Sequence, residues 1–400
     1  MKPLHGVRVI EFCSFVAGPV IGRNLALLGA DVIKIERPEG GDDGRQMSPM
    51  FDGEGLFFTE TNAGKRSVVL DLKSHSGLGI ARGLVAQADV MLENMRPGAM
   101  TAIGLDPKAL ADEFPRLIVA SLNGFGDDAE RRLDPAYDPI IQATTGLMFQ
   151  QSGGEGKPPI RVGASVVDKS AALWSTIQVL AMLLERQRTG RGGYVSSSLI
   201  AAGVHIMGAE YLRYESTGRD FFDPPRDPDM GSVGAHVARD GKWLQVSPAN
   251  DRLFPKLCAV LGAPELLDDP RFANGVARGV NRIEEQRVMK PLFLRRDRDE
   301  WVTLLRAAGV PCAPVNNISD FVKDPTLSGA FMTTAQRTGG GVVPLVRSPL
   351  DTPDDGPLRL PHLGEDTHDV LRTVLGMSVP QVARLASAGA FGAHDPVRPG

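Results

Sequence analysis

Apolar residues along the first 120 positions keep switching between two spacings. Val7, Val9, Ile10 and Phe12 read as a strand; a helical spacing opens at Gly18 and Pro19, runs to about Leu28 and stops at Gly29; residues 31–36 (DVIKIE) return to the strand pattern. The cycle repeats with a strand over 67–70, a helix over 76–86, a strand over 89–92, a helix over 107–113 and a strand over 116–120. Strands joined through single helices pair in parallel by right-handed crossovers. The pattern predicts an α/β fold, a large doubly wound Rossmann-like domain with helices on both faces of a mostly parallel sheet.

A second pattern centres on Asp168. A polar, turn-rich loop over 150–159 (QQSGGEGKPP) leads through Val162, Gly163, Ala164 and Ser165 into a long helical stretch, where Leu173, Ile177, Leu180, Leu183 and Leu184 recur without interruption. Asp168 falls in or just before the first turn of that helix. Unpaired N–H groups and the helix dipole favour an ionised carboxylate there by roughly 0.3–1 kcal/mol. Such a carboxylate is a poor general base and a competent nucleophile; the same position also suits a plain helix cap.

After a helix over 197–214 the composition shifts. Residues 221–234 (FFDPPRDPDMGSVG) form a proline- and aspartate-rich connector, followed by a strand at 242–247 and helices near 253–261, 283–293 and 299–308. This predicts a large domain over 1–215 and a smaller α+β domain over 216–324. Hydrophobic content of 42% and charged content of 23% are ordinary for a water-soluble globular chain of 400 residues. The net charge of −4 offers no row of cations for phosphates, which argues against nucleic acid as a partner. Three widely spaced cysteines, Cys13, Cys258 and Cys312, fit a reduced cytoplasmic setting, and Arg8 and Glu11 break any N-terminal leader. No membrane span is expected.

Several chemistries are disfavoured by spacing. Between Phe15 and Gly29 the only glycines are Gly18 and Gly22, so the dinucleotide fingerprint fails although Glu36 ends the second strand. No histidine pair has metal-ligand spacing and no G-x-S-x-G elbow occurs.

The residues also carry a family resemblance. The run PLHGVRVIEF…VAGPVIGRNLALLGADVIKIERPEGGD, the segments 62–67 (NAGKRS), 70–73 (LDLK), 89–98 (DVMLENMRPG), 121–126 (SLNGFG), 137–139 (YDP) and 189–192 (TGRG), then 309–315 (GVPCAPV) and 361–367 (PHLGEDT), resemble in this order the family III CoA-transferases. The resemblance implies transfer of CoA between an acyl-CoA and a carboxylic acid, with Asp168 as covalent nucleophile and acyl-CoA as substrate, not a tightly bound cofactor. By matching position it implies Val16 and Ala17 along the pantetheine arm, Arg37 at a phosphate, and Leu72, Lys73, Asn94, Met95 and Arg96 around the nucleotide. Ala102 stands where some relatives carry an arginine, a loss for which Arg96 would compensate. Turns at 153–156 or 230–234 would cover the site. The resemblance further implies that residues 325–400 return to the large domain and that two chains form an interlocked homodimer. Racemases of the same fold place a histidine before an aspartate where this chain has Tyr137-Asp138, so a 2-methylacyl-CoA racemase is the alternative. A CoA-binding protein without turnover is the third reading.

Overall fold

The computed structural model describes residues 2–152, 156–220, 231–351 and 356–393. Its centre is a six-stranded parallel sheet. In chain order the strands are β1 (Arg8–Phe12), β2 (Asp31–Glu36), β3 (Arg66–Val69), β4 (Val90–Glu93), β5 (Ile118–Asn123) and β6 (Gly193–Ser198), and they lie side by side as β3-β2-β1-β4-β5-β6. Successive side chains alternate between two cores. Val9, Val32, Val90, Leu92, Ile118 and Ala120 enter one, where α1 (Ala17–Leu27) and later helices pack; Ile10, Ile33, Ile35, Met91 and Val119 enter the other, with α2 (His75–Ala86) and α3 (Pro107–Glu113). The first core also takes Ile141 of α4 (Asp138–Thr144), Val167, Ala171 and Val179 of α5 (Val166–Thr189), and Leu199 and Ala202 of α6 (Leu199–Ile206).

The strand β6 was not visible in the sequence, which suggests a helix from residue 197. GYVSSS has no apolar alternation, but its backbone pairs with β5 from Ile118↔Gly193 to Asn123↔Ser198. Gly192 makes the approach possible, since a Cβ there would lie 2.2 Å from the Leu117 carbonyl oxygen.

By contact density the chain divides into two units. The larger contains 1–148, 161–209 and 331–400; the smaller contains 149–160 and 210–330. Residues 149–160 and 210–215, expected in the large domain, and 325–330, expected to return to it, group with the smaller unit, where Gln150 donates to the Asp220 carbonyl at 2.7 Å. The smaller unit holds an antiparallel sheet of β7 (Gly234–Val237), β8 (Trp243–Val246) and β9 (Cys312–Pro314), with β8 central. Its core includes α7 (Phe254–Leu261), α8 (Arg282–Phe293) and α9 (Arg298–Ala307), through Leu257, Met289, Phe293 and Trp301. In the larger unit the C-terminal segment adds a small sheet of β10 (Met332–Arg337), β11 (Val342–Val346) and β12 (Leu358–Leu360), then α10 (Thr367–Leu375) and α11 (Val379–Ser387), whose Val370, Leu371 and Val382 enter the second core. The residues 361–367 serve a definite purpose. The edge strand β3 has outward N–H groups at Ser67 and Val69, and these donate to Asp366 Oδ2 at 2.8 Å and Thr367 Oγ1 at 3.1 Å.

A buried ion cluster interrupts the first core. Glu11 and Lys34 are direct neighbours across β1 and β2, paired at 3.0 Å, with Lys65 bound to Glu11 at 2.8 Å and Asp42 to Lys34 at 2.8 Å. All four are at most 2% exposed. Burial pushes Lys65 down to about 8 against the pull of Glu11; at Lys34 burial acts the same way, but Asp42 and Glu11 outweigh it and hold the ammonium charged. Helix α1 crosses this cluster at Gly22, where a Cβ would sit 1.8 Å from Glu11 Oε2. Replacing Glu11 by Gln leaves two buried ammoniums with one anion. The expected cost is about 3–5 kcal/mol, read as a lowered denaturant midpoint; a loss within about 0.5 kcal/mol, the range of an ordinary surface change, would count against a structural role for the cluster.

Candidate active site

The carboxyl ends of parallel strands form one edge of the sheet, and the strand order changes direction between β1 and β4, where open α/β sheets place their ligands. A cleft of about 450 Å³ opens there. Its walls come from the segments that follow β1 (Ser14 to Ala17), β2 (Arg37), β4 (Asn94 to Pro97) and β5 (Gly124), together with Tyr137 and Asp168. Asn94 ties two of these segments together: its Nδ2 donates to the Ser14 carbonyl at 3.0 Å while its Oδ1 accepts from the Ser14 N–H at 2.9 Å. Gly18 lets α1 start against this clamp, because a Cβ would lie 2.6 Å from Cys13 Sγ and 2.8 Å from Asn94 Cγ. Helix α1 begins beside the cleft at Val16 with no side-chain cap, so its free N–H groups favour an anion.

Phe15 carries backbone strain at the same place. Its φ of 68° lies in the left-handed region, a conformation costing on the order of 1–3 kcal/mol for such a residue. The Phe15 N–H donates to Asp42 Oδ1 at 3.0 Å, which fixes it, and its ring meets Tyr137 edge-on with centroids 5.6 Å apart. Nothing in the sequence marks this residue, since strain arises only from where the chain must go next.

Asp168 occupies the first turn of α5, partly buried, but its electrostatics reverse the sequence expectation. The free N–H groups of that turn are taken by another carboxylate: Asp138 Oδ2 accepts from Val167 at 2.8 Å and Asp168 at 3.3 Å. Asp138 is 2% exposed and begins α4 ahead of Pro139. Gln142, one turn on and fully buried, donates to Asp138 Oδ1 at 2.6 Å and accepts from the Val162 N–H at 3.0 Å. The stabilising end of the helix therefore serves Asp138. Burial, then the nearby Asp138 charge, push the Asp168 carboxyl up to about 7, with Arg161 opposing. Asp138 and Gln142 were missed as site residues; the only signal was the Tyr-Asp-Pro helix start.

Of the ten residues expected in the site, eight line this cleft: Val16, Ala17, Arg37, Asn94, Met95, Arg96, Tyr137 and Asp168. Leu72 and Lys73 do not. Asp71 N–H donates to the Ala390 carbonyl at 2.8 Å and Leu72 packs into the second core, which leaves Lys73 exposed on the turn before α2. Arg37 is partly engaged by Asp43 and the Glu39 carbonyl. Arg132, not anticipated from the sequence, also lines the cleft. Among the described residues no histidine does. Of the turns expected to cover the site, residues 153–155 and 230 lie outside the described residues.

The sequence model of CoA-transferase family III matches residues 4–367. A succinate–glutarate CoA-transferase of Agrobacterium fabrum is 33% identical over 92% of this chain and 95% of its own length. An acetyl-CoA:oxalate CoA-transferase of Acetobacter aceti is 33% identical over 86% and 87%. The crystal structure of a CAIB/BAIF family protein from Brucella suis superposes with a TM-score of 0.79 at 31% identity, covering 93% of this chain and 99% of that one.

The raised Asp168 carboxyl has a consequence for stability. An ordinary aspartate in the unfolded chain titrates near 4, so between about 4 and about 7 the folded state holds the extra proton. Its contribution is full below the unfolded value and is lost as pH rises through that window. Asp168→Asn should therefore gain stability relative to the parent between pH ~4 and ~8, measured by denaturant midpoints across pH; a difference that does not vary with pH would contradict the raised carboxyl.

Proposed function

The chain belongs to CoA-transferase family III, and from that premise we propose that it moves CoA from an acyl-CoA to a small carboxylic acid through covalent intermediates on Asp168. The observation that carries this reading is the Asp168 carboxyl, partly buried on the wall of the switch-point cleft, with the helix that bears it fixed by Asp138 and Gln142. An Asp168 carboxylate oxygen attacks the donor thioester carbonyl; the C–S bond breaks, CoA leaves as thiolate, and a mixed anhydride forms. The thiolate then attacks Asp168 Cγ and expels the donor acid as its carboxylate, leaving an aspartyl-CoA thioester. The acceptor carboxylate attacks Cγ and releases thiolate again, which takes the acceptor acyl group and frees Asp168 as a carboxylate. A carboxyl pushed up to about 7 is more basic than a free aspartate, and hence a stronger nucleophile once ionised. The uncapped start of α1 suits the negative charge that develops on the carbonyl oxygens.

Val16 and Ala17 are assigned to the pantetheine arm, Arg37 to a phosphate, and Asn94, Met95 and Arg96 to the nucleotide. Tyr137 forms the wall beside the thioester. Racemase chemistry needs a second base, and Tyr137 stands where the racemase histidine would be, which favours transfer. The names of the two relatives, for succinate, glutarate and oxalate, support a short dicarboxylic acid as acceptor. Free Cys13, Cys258 and Cys312 are consistent with a cytoplasmic setting.

Hydroxylamine distinguishes transfer from CoA binding alone. Incubated with an acyl-CoA donor, the enzyme should become derivatised at Asp168, because thioesters and anhydrides react with hydroxylamine and carboxylates do not. Asp168→Ala should lose turnover while retaining CoA binding. Full activity in that variant would rule out the covalent route.

The homodimer proposal is supported by α5, whose Leu173, Trp174, Ile177 and Leu184 remain 56%, 43%, 54% and 69% exposed in the single chain. Although this helix is long and apolar enough to cross a membrane, Val167, Ala171, Val179 and Leu183 bury its other face in the first core. A second copy would cover the outer face. If the two chains interlock, tagged and untagged dimers mixed under native conditions should form hybrids only after partial unfolding; hybrids appearing within minutes would indicate an ordinary side-by-side contact.

A further inference from the structure

A bulky side chain at a positive φ strains the backbone, and a glycine would hold the same turn without that cost. Phe15 is such a residue, so its ring needs a reason to be there. Among the described residues it joins neither of the two cores that flank the sheet, although its neighbours Cys13 and Ala17 enter the first. The ring stands half-buried in the wall of the cleft, edge-on to Tyr137. Its role therefore lies in the cleft.

Tyr137 directly precedes Asp138, whose Oδ2 accepts from the Asp168 N–H at 3.3 Å, and Phe15, Tyr137 and Asp168 all line the same cleft. A thioester carbonyl within reach of the Asp168 carboxyl thus starts its acyl chain near the two rings. Methylenes are poorly placed against the carboxyl groups of Asp138 and Asp168, so an apolar chain favours the aromatic wall. That wall is closed. Rings set edge-on with centroids 5.6 Å apart are already in contact, and no methylene passes between them. Tyr137, 55% exposed, has room to turn aside, whereas the backbone that carries Phe15 is held on both sides of its peptide. Asp42 accepts the Phe15 N–H at 3.0 Å, and Asn94 grips the preceding Ser14 at its N–H and its carbonyl.

We propose that Phe15 is the stop of the acyl subsite: its ring limits the length of the acyl chain that can lie beside Asp168, so that short acyl groups are transferred and long unbranched ones are refused. This rests on the transfer reading above, and the experiment separates the two. Parent, Phe15→Ala, Phe15→Gly and Phe15→Tyr full-length enzymes are compared by kcat/KM on acetyl-, butyryl-, hexanoyl- and octanoyl-CoA, with succinate as the one acceptor at fixed concentration. Every donor carries the same CoA, so the ratio between donors cancels any change in how CoA itself is held. The parent should show a fall of about tenfold or more at one step of this series, the least that a misfitting methylene costs in an apolar site. Phe15→Ala and Phe15→Gly should move the fall to a longer donor, raising the long-to-short ratio of kcat/KM by about 10- to 200-fold. Glycine adopts the positive φ freely, which keeps the test open where alanine disturbs the turn. Phe15→Tyr retains the ring and should retain the parent's cut-off. A ratio unmoved in Phe15→Ala and Phe15→Gly would assign the ring to the pantetheine arm or to folding and overturn the proposal. A parent that takes octanoyl-CoA as readily as acetyl-CoA would do the same, as would a cut-off displaced equally in Phe15→Tyr. Hydroxylamine trapping is run in parallel with each donor. If none derivatises Asp168 in the parent, the transfer reading itself is overturned, and the acyl stop with it.

Discussion

The architecture depends on a charge placed where the pattern calls for an apolar residue. Glu11 points into the first core, and the chain accommodates it by bringing Lys34 from the next strand, Lys65 from the approach to β3 and Asp42 from beyond β2. Each partner constrains a different segment. Lys34 Nζ also donates to the Cys13 carbonyl at 2.6 Å, and Lys65 Nζ to the Pro19 carbonyl at 2.8 Å, so the segment after β1 and the first turn of α1 are pinned from below. Asp42 in turn holds the strained Phe15 in the cleft wall. A substitution in this cluster leaves an uncompensated buried charge, which is why its effect would reach beyond the residue changed.

The constraint continues through a second buried group to the end of the chain. The Asp42 N–H donates to Glu36 Oε2 at 3.0 Å; Glu36 is paired with Arg45 at 2.7 Å and accepts from Ser67 Oγ at 2.6 Å. Ser67 Oγ accepts from the Gly364 N–H at 2.8 Å. Glu36, which at first sight resembles a ribose-binding acid, is fully engaged in joining the N-terminal strands to the C-terminal segment. Its carboxyl is held below the usual range by Arg45, Lys34 and Ser67, which outweigh the opposing effect of burial.

At the other side of the cleft, one carboxylate takes the favourable position and leaves a second one exposed to its field. A helix N-terminus stabilises an anion within its first turn, and Asp138 occupies it from outside the helix. Asp168 is left with burial and a like charge for neighbours, which push its carboxyl up to about 7. Gln142 makes this arrangement rigid, since both ends of its amide are used.

Local sequence determined the alternation of strands and helices, because periods of 2 and 3.6 residues are written directly in the apolar positions. It therefore showed the α/β class, β1 through β5 to within two or three residues, and the helix that carries Asp168. Family-level order in the motifs brought eight cleft residues into view before their geometry was known. Other features required the folded chain. The strand β6 depends on a partner backbone, not on its own composition; the strain at Phe15 depends on Asp42, 27 residues away; and the pKa of Asp168 depends on Asp138, 30 residues earlier. Each of these is a long-range electrostatic or hydrogen-bonding term, and such terms have no period along the chain. The sequence located Asp168 on a helix start, and only the tertiary structure decided which of two carboxylates that helix would stabilise.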